Sequence, residues 1–415
     1  MGYKRYVLFG ISLKKISQKF LGYIPVGVVK MEKHEIVIIG AGPGGLTAAK
    51  ELAKKDRDVL LLERKPEDKI GEKVCGGGLP ERVWKDVPSS LFKGVFTPII
   101  HLGGIEATAQ LLGMKVASVD RIDLGQYQLR EAEKFGAEVR GNSPVSYVKL
   151  RQNKVICKGE EIGYDNLIVA CGSNSRLLKR LGLRTYITIG YDYDIEEHFR
   201  DMEIFYDVEK IGIRYAWIFP HGDHASIGSG YIPRFGQKGI NERKKIENFF
   251  KERGIDLKYA KKRSAPMNIA YNYFKRRNVY LIGDSASFLN PLTGEGIYQA
   301  MRSGEIAANA IIDKKYKYKK PIKDVYRHHQ IVNPLLFAAD FFSIKKLEPK
   351  RIQKMLGWLE NSKYGHRALS RANYLLAKSL KIYPGFASFL YLSQLFAPTT
   401  LASWDTIKDY MDVLI

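Results

Sequence analysis

The chain has 415 residues and a mass of 47.2 kDa, enough for two or three domains rather than one small core. Hydrophobic residues make up 45% and charged residues 27%, which excludes a disordered or fibrous chain. A net charge of +23, from 67 Lys and Arg against 44 Asp and Glu, favours anionic partners: nucleic acid, acidic lipid or a phosphorylated substrate. A generally Lys-rich proteome is the competing explanation.

Residues 1–30 carry Lys4, Arg5, Lys14, Lys15, Lys19 and Lys30 and no acidic residue. Their apolar stretch Tyr6–Leu13 is too short to span a bilayer, and no cleavable signal is evident. Met31 stands directly before the first motif, so we expect an upstream misread start, with a basic membrane-surface arm as the alternative.

Glu35–Gly40 reads as a short buried strand, Leu46–Ala53 as a helix and Asp58–Glu63 as a second strand. The turn between strand and helix is Gly40-x-Gly42-x-x-Gly45, with Pro43 and Gly44 inside it. This is the dinucleotide-binding fingerprint. Gly40 makes the tight turn, Gly42 lets the backbone approach a pyrophosphate, and Gly45 lets helix and strand pack closely. The helix N-terminus offers N–H groups to the phosphates. Glu63 ends the second strand where an acid holds a ribose hydroxyl, and Arg64 beside it joins the expected cofactor contacts.

Residues 137–170 read as short strands with turns, the last of them (166–170) returning to the nucleotide domain. Residues 186–230 alternate apolar and polar positions and are rich in aromatics, which suits an antiparallel sheet. Residues 279–283 form another buried strand, running into Asp284, and a helical pattern runs from Ile297 through Ala310. Residues 314–320 are a basic break, expected to be a solvated loop, and 322–415 read as helices with little strand. Ile382–Trp404 contains no charged residue, but its prolines and polar residues argue against a spanning helix. It reads as apolar helical pieces covering a greasy cavity or a membrane face, with ordinary core packing as the alternative.

The three cysteines, Cys75, Cys157 and Cys171, form no CxxC pair, and none of the eight histidines, His221 and His224 included, lies in an HExxH pattern; we expect no metal site.

Asn278–Ala286, followed by Pro291 and Gly294-Glu295-Gly296, resembles the GD motif of FAD enzymes related to the aromatic hydroxylases. The resemblance implies that Gly283 and Asp284 meet the ribitol–ribose side of FAD, and that Pro291, Gly294, Gly296 and Ile297 line the isoalloxazine. Asp120-Arg121-Ile122-Asp123-Leu124 resembles that family's other flavin contact, made through Arg121. Without the resemblance, Asp284 reads as a helix N-cap and Arg121 as a surface salt bridge. Tyr215-x-Trp217-x-Phe219-Pro220, then a gap to Gly228-x-Gly230, resembles a motif of the geranylgeranyl reductases, and Cys75-Gly76-Gly77-Gly78 resembles their glycine loop. The likeness runs from about residue 35 to 310.

The fold this implies is α/β: a Rossmann-like FAD-binding domain of glutathione-reductase/aromatic-hydroxylase type, an antiparallel-sheet substrate domain and a helical C-terminal region. The expected divisions are 1–30; 31–74 with 116–180 and 265–312 for FAD; 75–115 with 181–264 for substrate; and 313–415. The implied activity is saturation of isoprenoid double bonds in geranylgeranyl chains of archaeal ether-lipid precursors, by hydride from FAD plus a proton. Cys75 and Gly76–Gly77 are expected against the flavin, and Cys75, Tyr215 and Trp217 are the candidate catalytic residues. Tyr215, Trp217, Phe219, Pro220, Gly228 and Gly230 are the candidate substrate contacts. Cys75, Tyr215, His221 and water all stand open as proton donor. For Trp217 and Cys75 plain packing is the competing explanation.

One departure concerns the electron source. Cys171 stands where the hydroxylases carry the Asp of an Asp-Gly pair, and no second GxGxxG or CxxxxC is present. A disulfide reductase with its own nicotinamide domain is thereby excluded. The donor is expected to be a ferredoxin-like carrier or NAD(P)H. The remaining expectations are cytoplasmic location, peripheral attachment to an anionic membrane surface, and no nucleic-acid partner. A flavin monooxygenase or epoxidase of the same fold, and a basic protein holding FAD only structurally, are the competing readings.

Overall fold

The computed structural model describes residues 31–326, apart from 103–104, 109–114, 174–175, 184–186, 212–214, 232–239, 269–271 and 291–293. The expectations for residues 1–30, for Ile382–Trp404, for the helical region beyond 326 and for Pro291 lie outside the described residues.

In chain order the elements are β1 (Lys33–Ile39), α1 (Pro43–Ala53), β2 (Val59–Leu62), β3 (Gly78–Pro80), β4 (Gly94–Phe96), β5 (Ile99–Leu102), β6 (Ile105–Thr108), β7 (Val116–Ser118) and α2 (Arg121–Lys134). They continue as β8 (Glu138–Arg140), β9 (Val145–Lys149), β10 (Lys154–Cys157), β11 (Glu160–Val169), α3 (Arg176–Arg180), β12 (Ile187–Ile195), β13 (Glu203–Tyr206), α4 (Val208–Ile211), β14 (Ala216–Pro220) and β15 (Ala225–Tyr231). Next come α5 (Ile240–Lys251), β16 (Lys261–Asn268), β17 (Lys275–Arg276), β18 (Val279–Leu281) and α6 (Ile297–Ile312). Residues 319–326 are again helical, so the helix begins inside the 314–320 stretch expected to be a loop.

The nucleotide half is built on β18-β11-β1-β2-β8, all parallel, with β17 antiparallel at one edge and the β9–β10 hairpin turned off β11. Parallel strands covered on both faces must be apolar throughout, and all four residues of β2 are buried. Helices α1 and α6 cross so closely that a Cβ on Gly304 would lie 2.3 Å from the Gly44 carbonyl oxygen. The short strands expected over 137–170 are β8 to β11, and β11 serves both the hairpin and the parallel sheet.

A second, seven-stranded sheet runs β16-β12-β15-β14-β13-β5-β6. It is antiparallel except that β13 and β5 pair in parallel, so the wholly antiparallel expectation is corrected there. The correction has a topological cause: β5 and β13 are joined through the nucleotide half and not by a hairpin. Strand β16 stays paired to β12 as far as Asn268, which carries this sheet beyond the expected boundary at 264. Helix α5 covers it, with Phe249 and Phe250 packed on Tyr193 and Phe205 in one apolar cluster. A small sheet, β3-β7-β4, lies apart from both, although 116–118 was expected within the nucleotide domain.

Candidate active site

The fingerprint turn forms as its glycines require. Gly40 takes φ +104, a left-handed conformation open to glycine, and a Cβ on Gly45 would stand 2.0 Å from the Gly40 carbonyl oxygen. Among the described residues nothing lies within 4 Å of the place a Gly42 Cβ would take, so the backbone is bare where a pyrophosphate is expected. Pro43 opens α1, whose first turn carries no acidic residue to compete with an anion. Glu63 reaches back to the same turn: its carboxylate accepts from Ala41 N at 2.7 Å and from Lys65 N at 3.0 Å. Arg64 is exposed beside it.

At the other end of the site, Gly283 (φ +54) and Asp284 leave β18. Asp284 does not cap a helix, which corrects that alternative: α6 starts at Ile297 with Gly296 as its N-cap and no side-chain cap. The Asp284 carboxylate instead accepts from Lys73 Nζ at 2.9 Å and Ser173 Oγ at 3.2 Å, and its Oδ1 lies 3.4 Å from where a Gly296 Cβ would be. The GD motif and the Gly-x-Gly turn are therefore one structure. Cys171 sits behind it, with Ser285 Oγ 3.7 Å from its sulfur.

Arg121 is buried at 8% exposure, not a surface residue, and its Nε and Nη1 have no hydrogen-bond partner among the described residues. A buried guanidinium with unused donors is costly unless an anion or carbonyl meets it. With the bare turn at Gly42, the Glu63 carboxylate and the Asp284 turn, this residue set fits FAD: α1 and Glu63 for the nucleotide end, Arg121 and Asp284 toward the flavin end.

The glycine loop and the aromatic strand meet. A Cβ on Gly76 would lie 2.9 Å from the Phe219 ring and 3.1 Å from Trp217 Nε1, and one on Gly78 would lie 3.0 Å from Phe219. Tyr215 and Trp217 rings are 5.7 Å apart, and those of Trp217 and Phe219 6.2 Å, so the three aromatics share a face, although Tyr215 precedes β14 by one residue. The Tyr215 hydroxyl oxygen comes to 3.0 Å from the Cβ position of Gly294. Burial, then the neighbouring Cys75 and Glu295, push that hydroxyl well above the usual tyrosine value, so it keeps its proton. Cys75 packs in the cluster of Leu79, Val119, Ile297 and Met301, and its sulfur accepts from Gly77 N at 3.5 Å. Arg82 pairs with Glu295 and lies 4.0 Å from the Tyr298 ring centre, tying the Gly294–Gly296 turn to the segment after the glycine loop. Thus Cys75–Gly78, Tyr215–Phe219 and Gly294 converge. Pro220 ends the strand, and Gly230, with nothing among the described residues within 4 Å of its Cβ position, pairs with Gly190.

Sequence reasoning left His221 as one proton-donor option; the structure gives it a clamp. Its Nε2 donates to the Gly76 carbonyl at 3.0 Å, and its Nδ1 faces Asp120 Oδ1 at 2.9 Å. Lys93 holds the other Asp120 oxygen at 3.1 Å, and His224 Nε2 approaches Oδ1 at 3.3 Å. Burial opposes the charge on Asp120, but hydrogen bonds from His221 and Lys93 outweigh it and hold the carboxyl at about 2. Asp120, His221 and His224 place ligand-type atoms within 4.8 Å of one another. The Lys93 ammonium already neutralises that carboxylate, so the cluster reads as an ion-pair network between α2, the glycine loop and β14. Spacing in sequence could not show it, because Gly76, Asp120 and His221 come from distant segments.

A family model described as pyridine nucleotide-disulphide oxidoreductase matches residues 34–232. The chain is 29% identical to geranylgeranyl diphosphate reductase of Rhodobacter capsulatus, over 67% of this chain and 75% of that one. It is 27% identical to digeranylgeranylglycerophospholipid reductase of Thermoplasma volcanium, over 73% and 86%. Among solved structures, a geranylgeranyl bacteriochlorophyll reductase-like protein of Thermoplasma acidophilum superposes with TM-score 0.65 at 21% identity, covering 88% of this chain and 100% of that one. A myxobacterial FAD-dependent halogenase superposes with TM-score 0.56 at 18% identity, over 75% and 83%, which places the fold among the FAD-binding enzymes of that type. The fingerprint turn, the GD turn and the meeting of glycine loop and aromatic strand are in keeping with these likenesses: the chain is similar to geranylgeranyl and digeranylgeranylglycerophospholipid reductases and has the fold of FAD-dependent oxidoreductases.

Proposed function

We propose that this protein saturates isoprenoid carbon–carbon double bonds of geranylgeranyl chains, with the digeranylgeranylglycerophospholipid precursors of archaeal ether lipids as substrates. The single observation that carries the reading is the convergence of Cys75–Gly78, the Tyr215–Trp217–Phe219 face and Gly294. Bound FAD, when reduced, supplies a hydride to one alkene carbon while a proton adds to the other. An isolated trisubstituted alkene is a poor hydride acceptor, so the protein's part is to favour protonation toward a tertiary cation and to keep water out. Aromatic faces suit both tasks, being apolar and negative over the ring. Tyr215, Trp217 and Phe219 hold the chain against the site, and Pro220, Gly228 and Gly230 shape the strands behind them. Cys75 stands between the rings and the flavin-facing turn and orients the substrate.

Gly40–Gly45, Glu63 and Arg64 hold the nucleotide; Arg121, Gly283–Asp284 and Gly294–Ile297, with Pro291, hold the flavin side. Electrons come from a ferredoxin-like carrier or NAD(P)H. The enzyme works in the cytoplasm, attached peripherally to an anionic membrane surface; no helix among the described residues is long and apolar enough to cross one. A monooxygenase of the same fold is disfavoured by Cys171, which stands where the hydroxylases keep an Asp.

The deciding experiment is anaerobic: dithionite-reduced protein incubated with a geranylgeranyl lipid should yield products heavier by whole hydrogen pairs. Product that forms only with oxygen would move the assignment to a monooxygenase.

A further inference from the structure

Asp192 is a carboxylate 1% exposed inside the second sheet, and nothing in the reading above uses it. It lies in one row across four strands. Trp217 on β14 faces Gly228 on β15, Gly228 faces Asp192 on β12, and Asp192 faces Arg263 on β16. The missing side chain at Gly228 is what admits the indole, since a Cβ there would stand 2.3 Å from Trp217 Cζ2. Trp217 Nε1 donates to Ser226 Oγ at 3.0 Å, and Ser226 donates on to Asp192 Oδ1. Arg263 Nε and Nη2 donate to Asp192 Oδ2 at 3.0 and 2.6 Å.

The direction of this chain is fixed by chemistry. Burial pushes the Asp192 carboxyl up, but the two Arg263 donors on Oδ2 favour its ionised form, which only accepts; the Ser226 proton then points at Asp192 and a lone pair is left for the indole N–H. A hydroxyl that donates to a charge is a stronger acceptor in turn. An indole N–H held by a strong acceptor leaves more negative charge on the ring, the property by which aromatic faces attract cations. Asp192 is buried while the Arg263 side chain is 33% exposed, and a carboxylate so buried is costly to ionise, so its presence one hydroxyl away from the indole calls for a reason other than stability.

We propose that Asp192 and Ser226 are positioning residues that lock the Trp217 indole and enrich its face, so that the ring stabilises the positive charge developing on the alkene carbon. The role rests on the prenyl-reductase reading; the relay itself does not.

The test uses the FAD-loaded enzyme with Ser226→Ala, Asp192→Asn and Trp217→Phe, singly and in pairs. The chain has 4 tryptophans, so the Trp217 indole N–H proton resonance is assigned by its loss in Trp217→Phe. It should shift upfield in Ser226→Ala, and by less in Asp192→Asn. Turnover should fall about five- to tenfold in each, with bound FAD and its absorption unchanged, as expected for losing part of a cation–π contribution. In the Trp217→Phe background Ser226→Ala should add less than about twofold, because the two act through one ring. Ser226→Ala removes no charge, so it stays informative if Asp192→Asn misfolds. An unmoved indole resonance would overturn the relay, and a full, independent loss in the Trp217→Phe background would overturn the role. If wild-type protein reduces no prenyl chain, the substrate reading and the cation-stabilising role both fall, while the indole resonance still decides whether the relay exists.

Discussion

Gly76 and Gly228 are glycines because indole and phenyl atoms occupy the places their side chains would take. Adding one methyl at Gly228, 2.3 Å from both the Trp217 ring and the Tyr191 carbonyl oxygen, forces the sheet apart. Gly228→Ala should cost about 1–3 kcal/mol, read as a lower denaturation midpoint, and should reduce turnover as the indole is displaced. Cys75→Ala and Trp217→Ala should each lower turnover at least about tenfold while FAD stays bound; wild-type rates in both would return these positions to packing. Arg121 carries the opposite expectation for the empty and loaded forms. Arg121→Met should weaken FAD binding by about tenfold or more, since a charged hydrogen bond is lost, yet leave the FAD-free protein as stable or more so. Equilibrium titration with FAD and thermal melts of the stripped protein check the two halves.

At the scale of elements, the junction of α2, the glycine loop and β14 depends on Asp120. Its carboxyl lies at about 2 in the folded protein against an ordinary 3.8. A group depressed by folding contributes stability that is full above the unfolded value and is lost as pH falls through the folded one. Wild type should therefore be more stable than Asp120→Asn above about pH 4, by up to about 2 kcal/mol, with the advantage disappearing toward about pH 2. Denaturant titrations at several pH values measure it; an advantage that persists unchanged at the acid end would remove Asp120 from the junction. The nucleotide-binding elements were legible in the sequence because β1, the Gly40–Gly45 turn, α1, β2 and Glu63 are contiguous and each glycine answers to a local need. The His221 clamp was not, since it joins three segments whose closeness only the packed sheets create.

For the whole molecule, the charge of +23 and the apolar substrate proposed here point to the membrane surface. Binding to liposomes should rise with anionic lipid and fall with added salt. Sedimentation with vesicles of graded anionic content tests this, and indifference to both variables would leave the charge as composition.

The sequence by itself determined the fingerprint turn: local glycines and a strand-ending acid carry their geometry within short stretches, so the backbone has little choice, whereas the GD run was named through resemblance. It also named Cys75 and the Tyr215–Phe219 strand, though only through resemblance, since alternating aromatics look the same in any packed sheet. The tertiary structure alone decided that these two runs touch, that Asp284 takes Lys73 and not a helix end, and that Asp192 stands behind Trp217. The physical reason is register: which residue faces which across β14, β15 and β12 is set by hydrogen bonding between strands distant in the chain, and no local pattern encodes it.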